Sequence, residues 1–155
     1  MKNDRFLLGI MIFIGVAVVA ALALFFTGQT EPEYLPEDDP AGIVHNYVLA
    51  VTEEDYTRAY AYLAEGEDKP TAAEFRSYFN NIQMVESAGV RVGEAEILEQ
   101  EAVVQVAVLY GGSGPFDSGY SNSDTAILNL QDGAWKIKQM AYPYWDFAWY
   151  QEIQK

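Results

Sequence analysis

The chain has 155 residues, 9 basic and 23 acidic side chains, one histidine, no cysteine and a formal net charge of −14. Half of it is apolar and 14% aromatic, too much for a disordered polymer, and the length suits one domain with an appendage. The acid excess argues strongly against nucleic acid and disfavours electrostatic docking on anionic lipid; the lack of thiols excludes a disulfide framework, a thiolate metal site and a cysteine nucleophile.

From Phe6 to Phe26 the chain runs FLLGIMIFIGVAVVAALALFF, 21 residues without a charged or hydrogen-bonding side chain. As a helix rising about 1.5 Å per residue it is roughly 31 Å long, which matches the hydrocarbon of a bilayer. The competing reading is a cleaved signal peptide, whose apolar core is shorter, about 7–15 residues. The expectation is an uncleaved anchor. Lys2 and Arg5 precede it, and the next basic residue is Arg58. The positive-inside rule then puts residues 1–5 in the cytoplasm and everything after Phe26 outside, a single-pass protein of the cell membrane. Residues 27–40, TGQTEPEYLPEDDP, carry three prolines and five carboxylates and read as an extended, solvated spacer.

Residues 41–155 form the expected exported domain. Asp39-Pro40 supplies an N-cap and a favourable first helical residue, and Ile43, Val44, Tyr47, Val48 and Val51 follow at helical spacing. Thr52 with Asp55 reads as a capping pair for a second helix, with Tyr56, Ala59, Tyr60 and Leu63 on one face and the acidic turn Glu65–Asp68 at its end. Thr71 and Glu74 make a capping box for a third, facing Phe75, Tyr78, Phe79 and Ile82 inward. Strands are expected next. Val90–Leu98 alternates with a slip at Gly93-Glu94 that predicts a bulge. Ala102–Tyr110 is nearly all apolar, as in a central strand. A Gly/Ser-rich connection covers 111–124. Thr125–Leu130 and Ala134–Met140 then flank Asp132-Gly133, a tight-hairpin signal that makes the sheet antiparallel.

Helices first, a bent sheet of about four strands second, the phrase DGAWKI, and the helix segment Asp55-Tyr56-Thr57-Arg58-Ala59-Tyr60 together resemble the nuclear-transport-factor-2-like (cystatin-like α+β) superfamily. More narrowly they resemble its small domains behind a membrane anchor in bacterial proteins of unknown function. The resemblance covers about Ala41 to Tyr150. It implies an α+β cone of three helices on a curved antiparallel sheet, an interior able to hold a small apolar ligand, and dimerisation through the open sheet face. In the superfamily's isomerases a carboxylate base inside the cone works with a tyrosine and a protonated acid. That chemistry does not transfer here, because Glu94, Glu96, Glu99 and Glu101 lie at the bulge or turn, or alternate with apolar neighbours, and so are expected to face water.

Candidate ligand-binding residues are therefore aromatic. Tyr47, Tyr60 and Tyr78 either line the cone or fill its core. Trp135 shares a strand face with Ile137. Trp145 and Trp149 fall in YPYWDFAWY, Tyr142–Tyr150, where six of nine residues are aromatic. That segment reads as a structural closure of the cone, as a sugar- or peptide-binding platform, or as an interfacial anchor to the bilayer. His45 stands off the apolar face of its helix and has no defined partner for acid–base work. The acidic runs at 37–39, 53–55 and 65–68 lack the spacing of a calcium loop. No metal, cofactor or nucleic acid is implied. The sequence favours a binding or structural role over an isomerase- or cyclase-type enzyme using the cone as its pocket.

Overall fold

In a computed structural model that describes residues 3–27, 33–81, 85, 87–111 and 119–150, four helices precede four strands: α1 (Asn3–Thr27), α2 (Pro40–Thr52), α3 (Tyr56–Ala61), α4 (Ala72–Asn81), β1 (Ala88–Leu98), β2 (Glu101–Tyr110), β3 (Tyr120–Gln131) and β4 (Ala134–Gln139). The chain divides into two compact units, residues 1–33 and 34–155. In the first, α1 is 25 residues long, and its described side chains, Leu7 to Ala23, are all exposed. Among the described residues no helix is long and apolar enough to cross a membrane. The transmembrane part of the expected fold thus rests on the sequence run Phe6–Phe26.

The second unit is α+β, as expected. Its strands form one antiparallel sheet in the order β1-β2-β3-β4. The bulge is where the alternation slips: pairing shifts between Val92 and Ala95. Gly93 permits it, because a Cβ there would stand 3.2 Å from the Gln105 carbonyl oxygen. At the other hairpin Asp132 and Gly133 have φ of 51° and 81°, the two left-handed residues that a type I′ turn demands. β3 begins at Tyr120, earlier than apolar alternation indicates. Its polar start, Ser121-Asn122-Ser123-Asp124, pairs residue by residue with Leu109 to Val106 of β2, so main-chain hydrogen bonding to a long neighbour extends it.

The helix starts follow the caps, with one correction. Asp39 accepts from the Gly42 amide, and Thr71 and Glu74 bond each other's backbone amides. For α3 the cap is Asp55, which accepts from the Arg58 amide; Thr52 instead ends α2 and donates to the Val48 carbonyl. α3 also stops at Ala61, before the acidic turn, because the chain leaves the helix to meet the sheet. The Ile137 amide donates to the Tyr62 carbonyl and the Ala64 amide to the Ile137 carbonyl, both at 2.8 Å, so this short segment covers part of the outer edge of β4. Ile82 lies outside the described residues. α2 is the central helix and packs on β1, β2 and β4.

The spacer expected over 27–40 is not solvated throughout. Asn46, fully buried, accepts from the Leu35 amide at 2.7 Å and donates to the Leu35 carbonyl at 2.8 Å. Tyr62 donates to Glu37, Tyr34 donates to Glu53, and the Arg58 guanidinium lies 3.3 Å from the Tyr34 ring centroid. The second compact unit accordingly includes the chain from Tyr34 onward. The sequence offered only proline and acid content there; a side chain eleven residues on in the chain holds the segment down. Replacing Asn46 by Ala removes both bonds and leaves the Leu35 groups without their partner. The expected loss is about 2–3 kcal/mol in denaturant titration, with faster hydrogen exchange at the Leu35 amide.

Candidate functional site

The interior of the domain is aromatic. Phe75 on α4 packs edge-on against Tyr47 of α2 and Phe79 and stacks on Trp149 with centroids 5.3 Å apart. Tyr78 and Trp145 meet Trp149 edge-on at 5.1 Å, and Tyr150 stacks on Trp145. Tyr60 meets Phe75 from α3. These contacts bring five of the six sequence candidates, Tyr47, Tyr60, Tyr78, Trp145 and Trp149, into one cluster. Trp135 lies in the same buried core, on the β4 face it shares with Ile137. Tyr47 and Trp145 are among the largest side chains with almost no exposure.

Five tyrosine hydroxyls in this interior have backbone acceptors. Tyr47 donates to the Tyr144 carbonyl at 2.7 Å, Tyr78 to the Trp145 carbonyl at 2.6 Å, and Tyr144 to the Ala88 carbonyl at 2.7 Å. Tyr60 donates to the Pro70 carbonyl and Tyr150 to the Ala64 carbonyl. Burial is the main cause that raises the Tyr47, Tyr78 and Tyr150 hydroxyls above the ordinary tyrosine value, since a phenolate there would lose its hydration. Tyr34 is pushed up to about 12, by burial first and then by its bond to the Glu53 carboxylate. The space that the resemblance assigns to a small ligand is thus occupied by the protein's own rings.

The strand carboxylates Glu94, Glu96, Glu99 and Glu101 are exposed, as the alternation indicates. His45 is half-buried on α2. No cluster of three or more metal-ligating side chains occurs among the described residues.

Three concavities are lined by described residues. One of about 310 Å³ is lined by Glu101, Ile127, Lys138, Gln139 and the tail aromatics Trp145, Phe147, Trp149 and Tyr150. A second, of about 480 Å³, runs from the β1–β2 turn to Asn129 and Gln131 and also includes Glu101. A third, of about 370 Å³, is lined by Arg91, Gly93, Gln105 and Ser123 among others. In the second, Asn129 Oδ1 is buried and has no hydrogen-bond partner among the described residues. Asn129 was not a candidate from sequence. Its only signal is an amide between Leu128 and Leu130, which strand alternation turns away from the core.

No family profile matches the chain, and no curated protein matches it. Solved structures do. A SEC-C motif containing protein from Rhodopseudomonas palustris is 12% identical with a TM-score of 0.50, covering 68% of this chain and 79% of that one. A protein of unknown function with a cystatin-like fold from Nostoc punctiforme is 14% identical, TM-score 0.46, covering 61% and 80%. A putative NTF2-like transpeptidase from Campylobacter jejuni is 18% identical, TM-score 0.43, covering 64% and 96%. The second and third of these carry the cystatin-like and NTF2-like descriptions that the sequence resemblance named; the first does not. The likeness is one of fold.

Two expectations follow from the filled interior. Trp149→Ala in the full chain removes a ring that four other aromatics touch. It should cost on the order of 3–5 kcal/mol, seen as a large drop in melting temperature; a shift within about a degree would show the ring to be dispensable. The second concerns alkali. The buried hydroxyls stay neutral to higher pH than in the unfolded chain, where a tyrosine titrates near 10.0. Their raised values stabilise the fold below that pH, and the contribution is lost as pH rises through the folded values. Absorbance titration of phenolate should show a group of tyrosines ionising only together with the loss of near-UV circular dichroism.

Proposed function

We propose that the protein is anchored in the cell membrane by Phe6–Phe26, displays its α+β domain outside the cytoplasm, and acts there by binding at the surface of that domain. The observation that carries the anchoring is the sequence run Phe6–Phe26, 21 residues without a charged or hydrogen-bonding side chain, the length that matches the hydrocarbon of a bilayer when helical. Lys2 and Arg5 before it, against a flank with no basic residue until Arg58, support the outward orientation.

A surface role fits the interior better than catalysis in the cone. An isomerase- or cyclase-type mechanism needs a carboxylate inside, whereas Tyr47, Phe75, Tyr144 and Trp145 are buried there and the Tyr47 and Tyr144 hydroxyls are spent on backbone carbonyls. The tail rings that close the cone also wall the concavity beside Glu101. That combines the structural and platform readings of YPYWDFAWY.

A reporter that is active only outside the cytoplasm, fused after Lys155, should be active, and a cytoplasm-only reporter at the same position should be silent. The reverse pattern would overturn the topology. The mass of the mature protein separates anchor from cleaved signal: the intact chain is expected, and loss of about two dozen N-terminal residues would replace the anchor with a leader.

A further inference from the structure

The two edges of the sheet are finished differently. Tyr62–Ala64 cover part of the outer edge of β4. β1, 11 residues long, pairs with β2, and its far edge meets no other strand among the described residues. An open edge of that length is a template for another strand. Near its end Ile97 and Leu98 are 53% and 54% exposed. The one cation on β1, Arg91, is exposed and has no ion-pair partner among the described residues, in a chain with 23 acidic side chains.

We propose that two copies of this chain join β1 to β1, antiparallel, about a two-fold axis between Gly93 and Glu94 that sets Arg91 of each copy opposite Glu96 of the other. The bulge makes this register possible. In an uninterrupted strand Arg91 and Glu96 would face opposite sides of the sheet. The extra residue between Val92 and Ala95 shifts the phase. Arg91 then lies beside Ala107 and Glu96 beside Val103, both on the β2 face that alternates with the buried Ala102, Val104, Val106 and Val108. In the same register Val90 meets Ile97 and Val92 meets Ala95, all on the core-facing side of β1. Glu94 meets Gly93 and Glu99 meets Ala88, so no carboxylate directly opposes another. The axis makes every pair twice. Sliding the register by two residues either way sets Glu96 opposite a glycine, Gly89 or Gly93. A second copy fits this edge because both halves of the charge pattern, and the apolar pairs between them, lie on the strand itself. The contact uses the strand edge, not the open face of the sheet, and does not rest on the anchoring proposed above.

The test uses the full chain in detergent micelles, its mass followed by sedimentation equilibrium across concentration. The parent should dimerise reversibly. Arg91→Glu and Glu96→Arg should each weaken the dimer by roughly tenfold or more, since like charges then oppose each other twice, and the double variant should restore it. Arg76→Glu, on the exposed side of α4, leaves it unchanged. Near-UV circular dichroism confirms the fold of each variant. The chain has no cysteine, so Arg91→Cys and Glu96→Cys, prepared separately, report the register. Opposed Cα atoms stand about 4.5–5.5 Å apart, within reach of a disulfide, whereas two copies of the same position lie roughly 15 Å apart along the strands. Mild oxidation should crosslink the mixture and leave each variant alone largely uncrosslinked. A monomeric parent overturns the proposal, as does a double variant that fails to recover, or crosslinking of either variant alone to the extent of the mixture. A dimer that both charge reversals leave intact, as association through α1 would be, overturns it too. Preferential crosslinking of Arg91→Cys with Glu94→Cys would overturn the register.

Discussion

Irregular backbone inside a protein must find hydrogen-bond partners that a helix or strand would supply by itself. Between Tyr142 and Trp145 the chain has left β4, passes through a cis Tyr142–Pro143 bond and runs largely buried. Its four successive carbonyls are met by tyrosine hydroxyls from three different elements: Tyr110 of β2 at Tyr142, Tyr78 of α4 at Pro143 and Trp145, and Tyr47 of α2 at Tyr144. The arrangement makes the C-terminal segment part of the core. It also accounts for much of the tyrosine content, 11 residues in all, since a tyrosine brings buried ring area and a donor on one side chain.

Once that segment is fixed, the aromatic cluster has its geometry. Trp149 is delivered to Phe75, Tyr78 and Phe79 on α4, a helix with few contacts to the strands. The tail therefore mediates between helix and sheet. The same closure packs Tyr144, Trp145 and Trp149 into the interior, and it leaves Phe147 exposed, beside Lys138 and Glu101. Packing and surface chemistry at this end of the domain are consequences of one chain reversal.

The N-terminal segment of the domain is held by a different kind of contact. Asn46 sits on the buried side of α2 and satisfies both backbone groups of Leu35, while Arg58, Tyr62 and Glu37 complete a polar clasp nearer the surface. A buried amide with both its donor and acceptor used is stable where an unpaired one would not be. It is also selective, since only an extended backbone presents N–H and C=O of one residue in that pattern. The contrast with Asn129, whose oxygen has no such partner among the described residues, is what sets Asn129 apart.

The sequence by itself determined what is local. The caps Asp39 and Thr71–Glu74, the bulge at Gly93-Glu94, the Asp132-Gly133 turn and the alternation of β2 and β4 are encoded within a few residues each. There the physics is steric or a single hydrogen bond. The outward direction of the strand glutamates followed from the same alternation. Tertiary structure decided what depends on distant partners. β3 was lengthened by pairing with β2 along its polar start, α3 was cut short because Tyr62–Ala64 were claimed by Ile137, and the acidic segment from Tyr34 was drawn onto α2 by Asn46. For the tyrosines and tryptophans the sequence left core and binding surface open together, because aromatic spacing is the same in both. Only the three-dimensional course of residues 142–150, which sends Tyr144, Trp145 and Trp149 inward and Phe147 out, assigns each ring its place.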